Sequence, residues 1–180
     1  KDTDAALKLR LELDFFLAGT GLNCLTLPDW EILPYDSFSA HPDIVSERIS
    51  TLNQITHLQQ GVVIVPVATL LHRLPPMNYL AGNSFTLTTG KELPQSQFRQ
   101  RLDQAGYLFT ETVSQAGEYA LRGGLIDLYP MGSYAPLRIE LFDDEIESLR
   151  YFDADTQRTT ALITEFNLLP AREFPLTDAA

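Results

Sequence analysis

The chain has 180 residues, 44% of them hydrophobic, which suits one large or two small domains with a real core. Its net charge of −11 opposes nucleic acid as its own ligand, because phosphate recognition requires clustered Lys and Arg. A single cysteine, Cys24, excludes an internal disulfide and fits a reducing compartment; no apolar run approaches the ~18 residues of a membrane span, so the expected location is cytoplasmic with no membrane partner.

The first residue is Lys rather than Met, which suggests a piece of a longer protein. In chain order, Asp4–Leu17 mixes charges with Leu7, Leu11, Leu13 and Phe15 and predicts an amphipathic helix ending at Gly19. Asn23–Leu27 reads as a short strand. Pro28–Phe38 is aromatic and bracketed by prolines, an ordered loop packed on the body. Asp43 is placed to cap a helix through about Leu58, with Ile44, Ile49, Leu52 and Ile55 as its buried stripe. Gly61–Val67 is a continuous β-branched run, as in a strand covered on both faces, and a short helix follows at Thr69–Arg73 before Pro75-Pro76. This alternation is the rhythm of a parallel α/β sheet.

The character changes after the double proline, and a boundary falls near residues 81–84. Ser84–Thr89 reads as a strand, Pro94–Ala105 as a helix stopped by Gly106, and Tyr107–Val113 as a strand. The stretch Gly117–Asp153 then organises the rest. Tyr119–Arg122 and Leu125–Tyr129 are strands separated by Gly123-Gly124. Leu137–Phe142 and Ile146–Phe152 are strands joined around Asp143-Asp144-Glu145, the spacing of an antiparallel hairpin. This second half predicts an α+β unit with an antiparallel sheet, and Phe166–Leu169 leads back toward the first body.

Leu137–Phe142 carries the sharpest signal. Strand side chains alternate faces, so Leu137, Ile139 and Leu141 form a core face while Arg138, Glu140 and Phe142 share the other. An aromatic beside an arginine on a solvent face has the composition of an interface hot spot. The competing reading buries Phe142 under a loop.

Catalytic and cofactor signals are weak. Gly90-Lys91 fails as a phosphate loop, because Phe85 stands where the first glycine belongs and Glu92 where Ser or Thr belongs. The strand at Gly61–Val67 ends without an acidic residue for magnesium. His41, His57 and His72 lie far apart and make no metal-ligand spacing; His57 and His72 fit helix ends, where the dipole favours a cation. Asp143, Asp144 and Glu145 lack the calcium-loop ladder and read as a solvated turn. Ser37, Ser39 and His41 lack a Gly-x-Ser-x-Gly elbow. No catalytic, cofactor or metal residue is expected.

Three motifs together, GEYALRGGLIDLYPMGSYAPLRIELFDDEIESLRYFD, LPDWEILPYDSFSAHPDIVSERISTLNQI and VVIVPVATLLHR, resemble the N-terminal UvrB-homology module of the Mfd family, the bacterial transcription-repair coupling factors. The resemblance covers nearly the whole chain. UvrB shares the central patterns, but it inserts a long DNA-contacting hairpin soon after its Tyr-Asp loop; here Tyr35-Asp36 is followed closely by the helix at Asp43, which favours Mfd.

The resemblance implies an α/β chain in which residues 1–82 are part of a degenerate RecA-like parallel-sheet domain. Residues 83–169 would be the inserted UvrA-binding domain 2, and 170–180 a return segment. Arg122 falls on the arginine of the family's R-G-x-x-x-D motif, and Arg138, Glu140 and Phe142 on its R-x-[DE]-x-F strand. It implies that the Arg122, Arg138 and Phe142 positions contact UvrA, with Glu140 on the same face. Ala120 departs from UvrB, where an arginine stands. The implied function is a non-catalytic adaptor recruiting UvrA to stalled RNA polymerase. ATP, magnesium and double-stranded DNA would be used by motor domains elsewhere in the protein, and a C-terminal domain would mask the UvrA face. Two other classes stay open: a UvrB-type excision nuclease fragment contacting UvrA and damaged DNA, and an enzyme using the acidic hairpin tip or a cryptic nucleotide site.

Overall fold

The computed structural model of the chain describes residues 2–32 and 39–174. Helix α1 (Thr3–Leu17) begins at Asp2, whose carboxylate accepts from the Ala5 amide at 2.9 Å. It packs through Ala6, Leu13 and Leu17 on a small cluster with Cys24, Val62 and Ile64. The expected stripe is therefore only partly right. Leu7, Leu11 and Phe15 form the neighbouring ridge and are exposed, because the helix carries two apolar ridges and the sheet covers one.

Strands β1 (Asn23–Thr26) and β2 (Gly61–Ile64) pair in parallel around helix α2 (Pro42–His57), a short βαβ unit. The cap of α2 is His41 rather than Asp43: its Nδ1 accepts from the Asp43 amide, Pro42 fills the first turn, and Asp43 sits near the helix's positive end. On α2, Ile49 and Leu52 are buried as expected, but so are Ser46, Arg48 and Thr51. β2 stops at Ile64, earlier than its apolar run, because Pro66 cannot donate to a ladder. Helix α3 (Val67–Leu70) starts there, and α4 (Met77–Asn83), which the sequence reading lacked, starts after Pro76. Of the loop expected over Pro28–Phe38, the part beyond residue 32 lies outside the described residues.

The second half contains β3 (Phe85–Thr88), α5 (Gln95–Ala105), β4 (Leu108–Phe109), β5 (Glu118–Arg122) and β6 (Leu125–Leu128). It continues with β7 (Leu137–Phe142), β8 (Glu145–Phe152), β9 (Thr159–Ile163) and β10 (Glu165–Leu168). Gly106, at φ +93, ends α5 in the left-handed region that glycine adopts without strain. One sheet of six strands runs β4-β5-β6-β7-β8-β9, antiparallel except for the short β4–β5 pair, while β3 and β10 form a separate antiparallel pair. β4 is shorter than expected, and β9 was not expected at all.

The inner face of the six-stranded sheet contributes Tyr119, Ile126, Leu128, Leu137, Ile139 and Leu149 to a buried cluster that includes Phe98 and Leu102 of α5. The same cluster takes in Leu87 of β3, Leu80 of α4, and Ile49 and Leu52 of α2. Each such aliphatic side chain contributes about 2 kcal/mol by leaving water. The chain is mixed α/β, with a short parallel unit and an α+β part built on an antiparallel sheet.

Candidate functional site

The core claims one face of the sheet and leaves the other to define the site. Along β7, Leu137, Ile139 and Leu141 are buried, Arg138 and Glu140 are half-buried, and Phe142 is 71% exposed. The reading that buries Phe142 under a loop is excluded. Cross-strand register extends the face in two rows. One runs Arg122, Leu125, Glu140, Ser148 and the other runs Ala120, Asp127, Arg138, Arg150, Leu162. Directly opposed residues share a face, so these side chains occupy one surface from β5 to β9.

The four residues singled out by sequence are on this surface, but their chemistry differs. Arg138 is locked to Asp127 by two parallel bonds, Nε to Oδ1 at 2.6 Å and Nη2 to Oδ2 at 2.8 Å. Its Nη1 donates to the Gln157 carbonyl at 3.3 Å, and the guanidinium lies 4.7 Å from the centre of the Phe152 ring. Hydrogen bonding to Asp127 holds the Arg138 pKa above its ordinary value, against the desolvation that would lower it. Asp127 is 4% exposed, and an unpaired carboxylate there would be costly. Arg138 is thus first a structural partner, and part of its charge is spent inside the sheet.

Glu140 accepts from the Ser148 hydroxyl at 2.8 Å, and its Oε2 forms an ion pair with Arg150 Nη2 at 3.3 Å. Arg122 is exposed, donating Nη2 to the Glu111 carbonyl at 2.8 Å and approaching the Thr112 hydroxyl at 3.3 Å. These bonds orient its guanidinium without neutralising it. Arg138 and Arg150 stand directly opposite one another, which alone would be repulsive. Asp127 and Glu140 interleave with them and compensate. One end of the face is closed by Val113, Ala120 and Phe152, with Gln157 Nε2 bonded to the Val113 carbonyl at 3.2 Å. The other end, at Phe142, is open.

Sequence reasoning missed Asp127, Arg150 and Leu162. Asp127 was findable, because a carboxylate inside the apolar run LIDL demands a partner. Arg150 was findable by carrying the alternation across the hairpin to β8. Leu162 was not, because β9 had not been recognised.

The other candidates resolve plainly. The Gly90–Leu93 segment is strapped to the hairpin: the Gly90 amide donates to the Ile146 carbonyl at 2.8 Å and the Leu93 amide to that of Asp144 at 2.6 Å. Those amides are spent, so they form no phosphate cradle. Asp143, Asp144 and Glu145 are exposed at the hairpin tip, with Asp143 left-handed at φ +54. Among the described residues, no group of three or more His, Cys, Asp or Glu is placed to hold a metal ion, and no helix is long and apolar enough to cross a membrane. His57 ends α2, whereas His72 lies beyond α3 with its ring 5.5 Å from that of Trp30. A cavity of about 770 Å³ opens beside α1, α2 and the Gly132–Tyr134 turn, and none of Arg122, Arg138, Glu140 or Phe142 lines it. The candidate site is a surface.

The chain that carries this surface is similar to known proteins. Residues 85–174 match the family model described as the UvrB interaction domain. The chain is 49% identical over 179 residues to the transcription-repair-coupling factor of Escherichia coli strain K12, covering 99% of this chain and 15% of that protein. It is 49% identical over 155 residues to the factor of the same name from Haemophilus influenzae, covering 86% of the chain and 13% of that protein. Against the Bacillus subtilis factor it is 35% identical over 149 residues, covering 83% and 13%. The chain therefore spans about one seventh of the length of these relatives.

Proposed function

Since the chain belongs to the UvrB interaction domain family, we propose that it is a non-catalytic adaptor module of a transcription-repair coupling factor, recruiting UvrA to stalled RNA polymerase in nucleotide excision repair. The observation that carries this reading is Phe142, 71% exposed at the open end of a sheet face whose central charges, Arg138 with Asp127 and Arg150 with Glu140, are paired. An exposed phenylalanine costs solubility and contributes nothing to the fold, whereas on a partner it buries a large apolar area. Arg122, oriented but not neutralised, supplies a charge-assisted bond to an acidic group on UvrA. Arg138 contributes its remaining exposed edge, and Glu140 sets the charge pattern beside it.

In this reading the chain uses no cofactor. ATP, magnesium, double-stranded DNA and RNA polymerase belong to other domains of the longer protein, and a C-terminal domain covers the UvrA face until the motor engages. Likeness to proteins named transcription-repair-coupling factors supports the repair context. The sign and spread of charge, −11 overall, favour a protein partner over damaged DNA.

Co-elution with purified UvrA on gel filtration tests the proposal. The chain is expected to co-elute and Phe142→Ala to elute alone while remaining folded. Damaged duplex, titrated by fluorescence anisotropy, is expected to show no binding. Binding of damaged duplex without UvrA would favour a UvrB-type fragment instead.

A further inference from the structure

The register carries the face beyond the four residues already named. We propose that the docking surface for UvrA continues across β8 to the edge strand β9, with Arg150 as a partner-facing cation and Leu162 as a second apolar anchor. This rests on the adaptor reading above and extends the contact set of the same site.

Three observations support it. The first is register. Leu162 stands opposite Arg150, which stands opposite Arg138, so Leu162 points from the same face as Phe142. It is 69% exposed, close to the 71% of Phe142. A standard interface takes about 800 Å² from each partner, a patch about 28 Å across. The face from β5 to β9 spans four strand spacings, roughly 19 Å. A partner seated over β7 therefore covers both Arg122 at one margin and Leu162 at the other.

The second observation is the contrast between the two arginines. Arg138 makes a bidentate pair with a carboxylate 4% exposed, whereas Arg150 touches Glu140 through one 3.3 Å contact with both side chains about 40% exposed. A solvated single contact of this kind is worth little and exchanges readily. A carboxylate on the partner can replace Glu140 at Arg150, while Glu140 keeps the Ser148 hydroxyl. Arg150 is the cation the sheet can release at low cost.

The third is the composition of β9. Its five positions, Thr159-Thr160-Ala161-Leu162-Ile163, hold no charged residue and no proline. Beside Leu162, such a margin places no charge that a partner would have to desolvate. Arg122 on β5 and Arg150 on β8 flank the paired Arg138, and the acidic tip Asp143-Asp144-Glu145 lies beyond Phe142, so the surface carries its cations apart from one anionic end. The matching partner surface is acidic opposite Arg122 and Arg150 and basic opposite the tip, which sets a single docking orientation.

The test is a titration of the 180-residue chain against UvrA at two salt concentrations, with Leu162→Ala, Arg150→Ala, Phe142→Ala and the remote, 84% exposed Leu71→Ala as control. Leu162→Ala is expected to bind about tenfold more weakly. Arg150→Ala is expected to bind about fivefold more weakly with a reduced dependence on salt. Leu71→Ala is expected to match the parent chain, and all variants to unfold at the parent's urea midpoint. Loss of affinity in Phe142→Ala with Leu162→Ala and Arg150→Ala both within about twofold of the parent overturns the extension alone. No binding by the folded parent chain overturns the adaptor reading and the extension with it.

Discussion

Arg138 and Phe142 sit four residues apart on one strand and respond to opposite physical demands. Phe142 is exposed and makes no contact that the fold depends on, so Phe142→Ala should leave stability within about 0.5 kcal/mol of the parent. Arg138 neutralises Asp127, and Arg138→Ala strands a carboxylate that is 4% exposed. That substitution should cost about 3 kcal/mol in urea unfolding, and adding Asp127→Ala should recover much of the loss. A single Arg138→Ala variant as stable as the parent would contradict this assignment. Any binding lost in Arg138→Ala therefore has to be read against its stability, whereas Phe142→Ala and Arg122→Ala report on docking more directly.

At the scale of elements, the face is held by how α5 is tied to the sheet. Tyr119 of β5 is buried and donates its phenol to Asp103 Oδ1 at 2.5 Å. Desolvation, reinforced by the Asp103 hydrogen bond and charge, pushes the Tyr119 pKa up to about 12 from 10.0. A folded-state pKa above the unfolded one means the neutral phenol stabilises the fold. That contribution is fully present below about pH 10 and is lost as pH rises toward about 12. The stability difference between the parent chain and Tyr119→Phe should therefore shrink across that window, measured by urea midpoints; a difference independent of pH would contradict the hydrogen-bonded geometry.

The same elements show which parts of the fold were legible in sequence. The alternation in Leu137–Phe142 is a period-two signal on a strand with one core face, and burial follows it residue by residue. Gly106 after Ala105 marked the end of α5 because only glycine takes that backbone angle easily. β9 was illegible for the converse reason: Thr159 to Leu162 are all exposed, so no alternation exists to read. α1 was legible as a helix but not as to which ridge packs, since residues 6, 13, 17 and residues 7, 11, 15 are both apolar. Of the site, the four named positions were readable locally, while Asp127 as the partner of Arg138 required the β6–β7 register.

At the scale of the whole molecule, distant segments are joined by a pair that sequence could not reveal. Arg48 of α2 and Glu173 lie 125 positions apart and form a buried double contact, with Nε to Oε2 at 2.9 Å and Nη2 to Oε1 at 2.8 Å. Trp30 Nε1 donates to the same carboxylate at 3.0 Å, and its ring lies 4.9 Å from the Arg48 guanidinium. Nearby, the Ala171 amide bonds the Ala105 carbonyl at 2.8 Å and the Tyr107 phenol bonds that of Leu169 at 2.7 Å. The segment after β10 is thereby fastened to both α2 and α5. Glu173→Ala leaves Arg48 charged and buried, so it should cost about 3–5 kcal/mol and lower Tm, whereas Arg48→Met with Glu173→Leu should be milder than either single change. A double variant as costly as the two single changes added together would contradict a coupled pair. This fastening holds α2 and α5, whose side chains share the core on the sheet's inner face.

The most direct test of the outer face's docking role is calorimetric titration of UvrA with the chain, with Phe142→Ala and Arg122→Ala in parallel. Binding at micromolar affinity or tighter, weakened about tenfold or more by Phe142→Ala and measurably by Arg122→Ala at unchanged Tm, is the predicted result. No heat of binding from the folded chain, or Phe142→Ala binding as tightly as the parent, would contradict it.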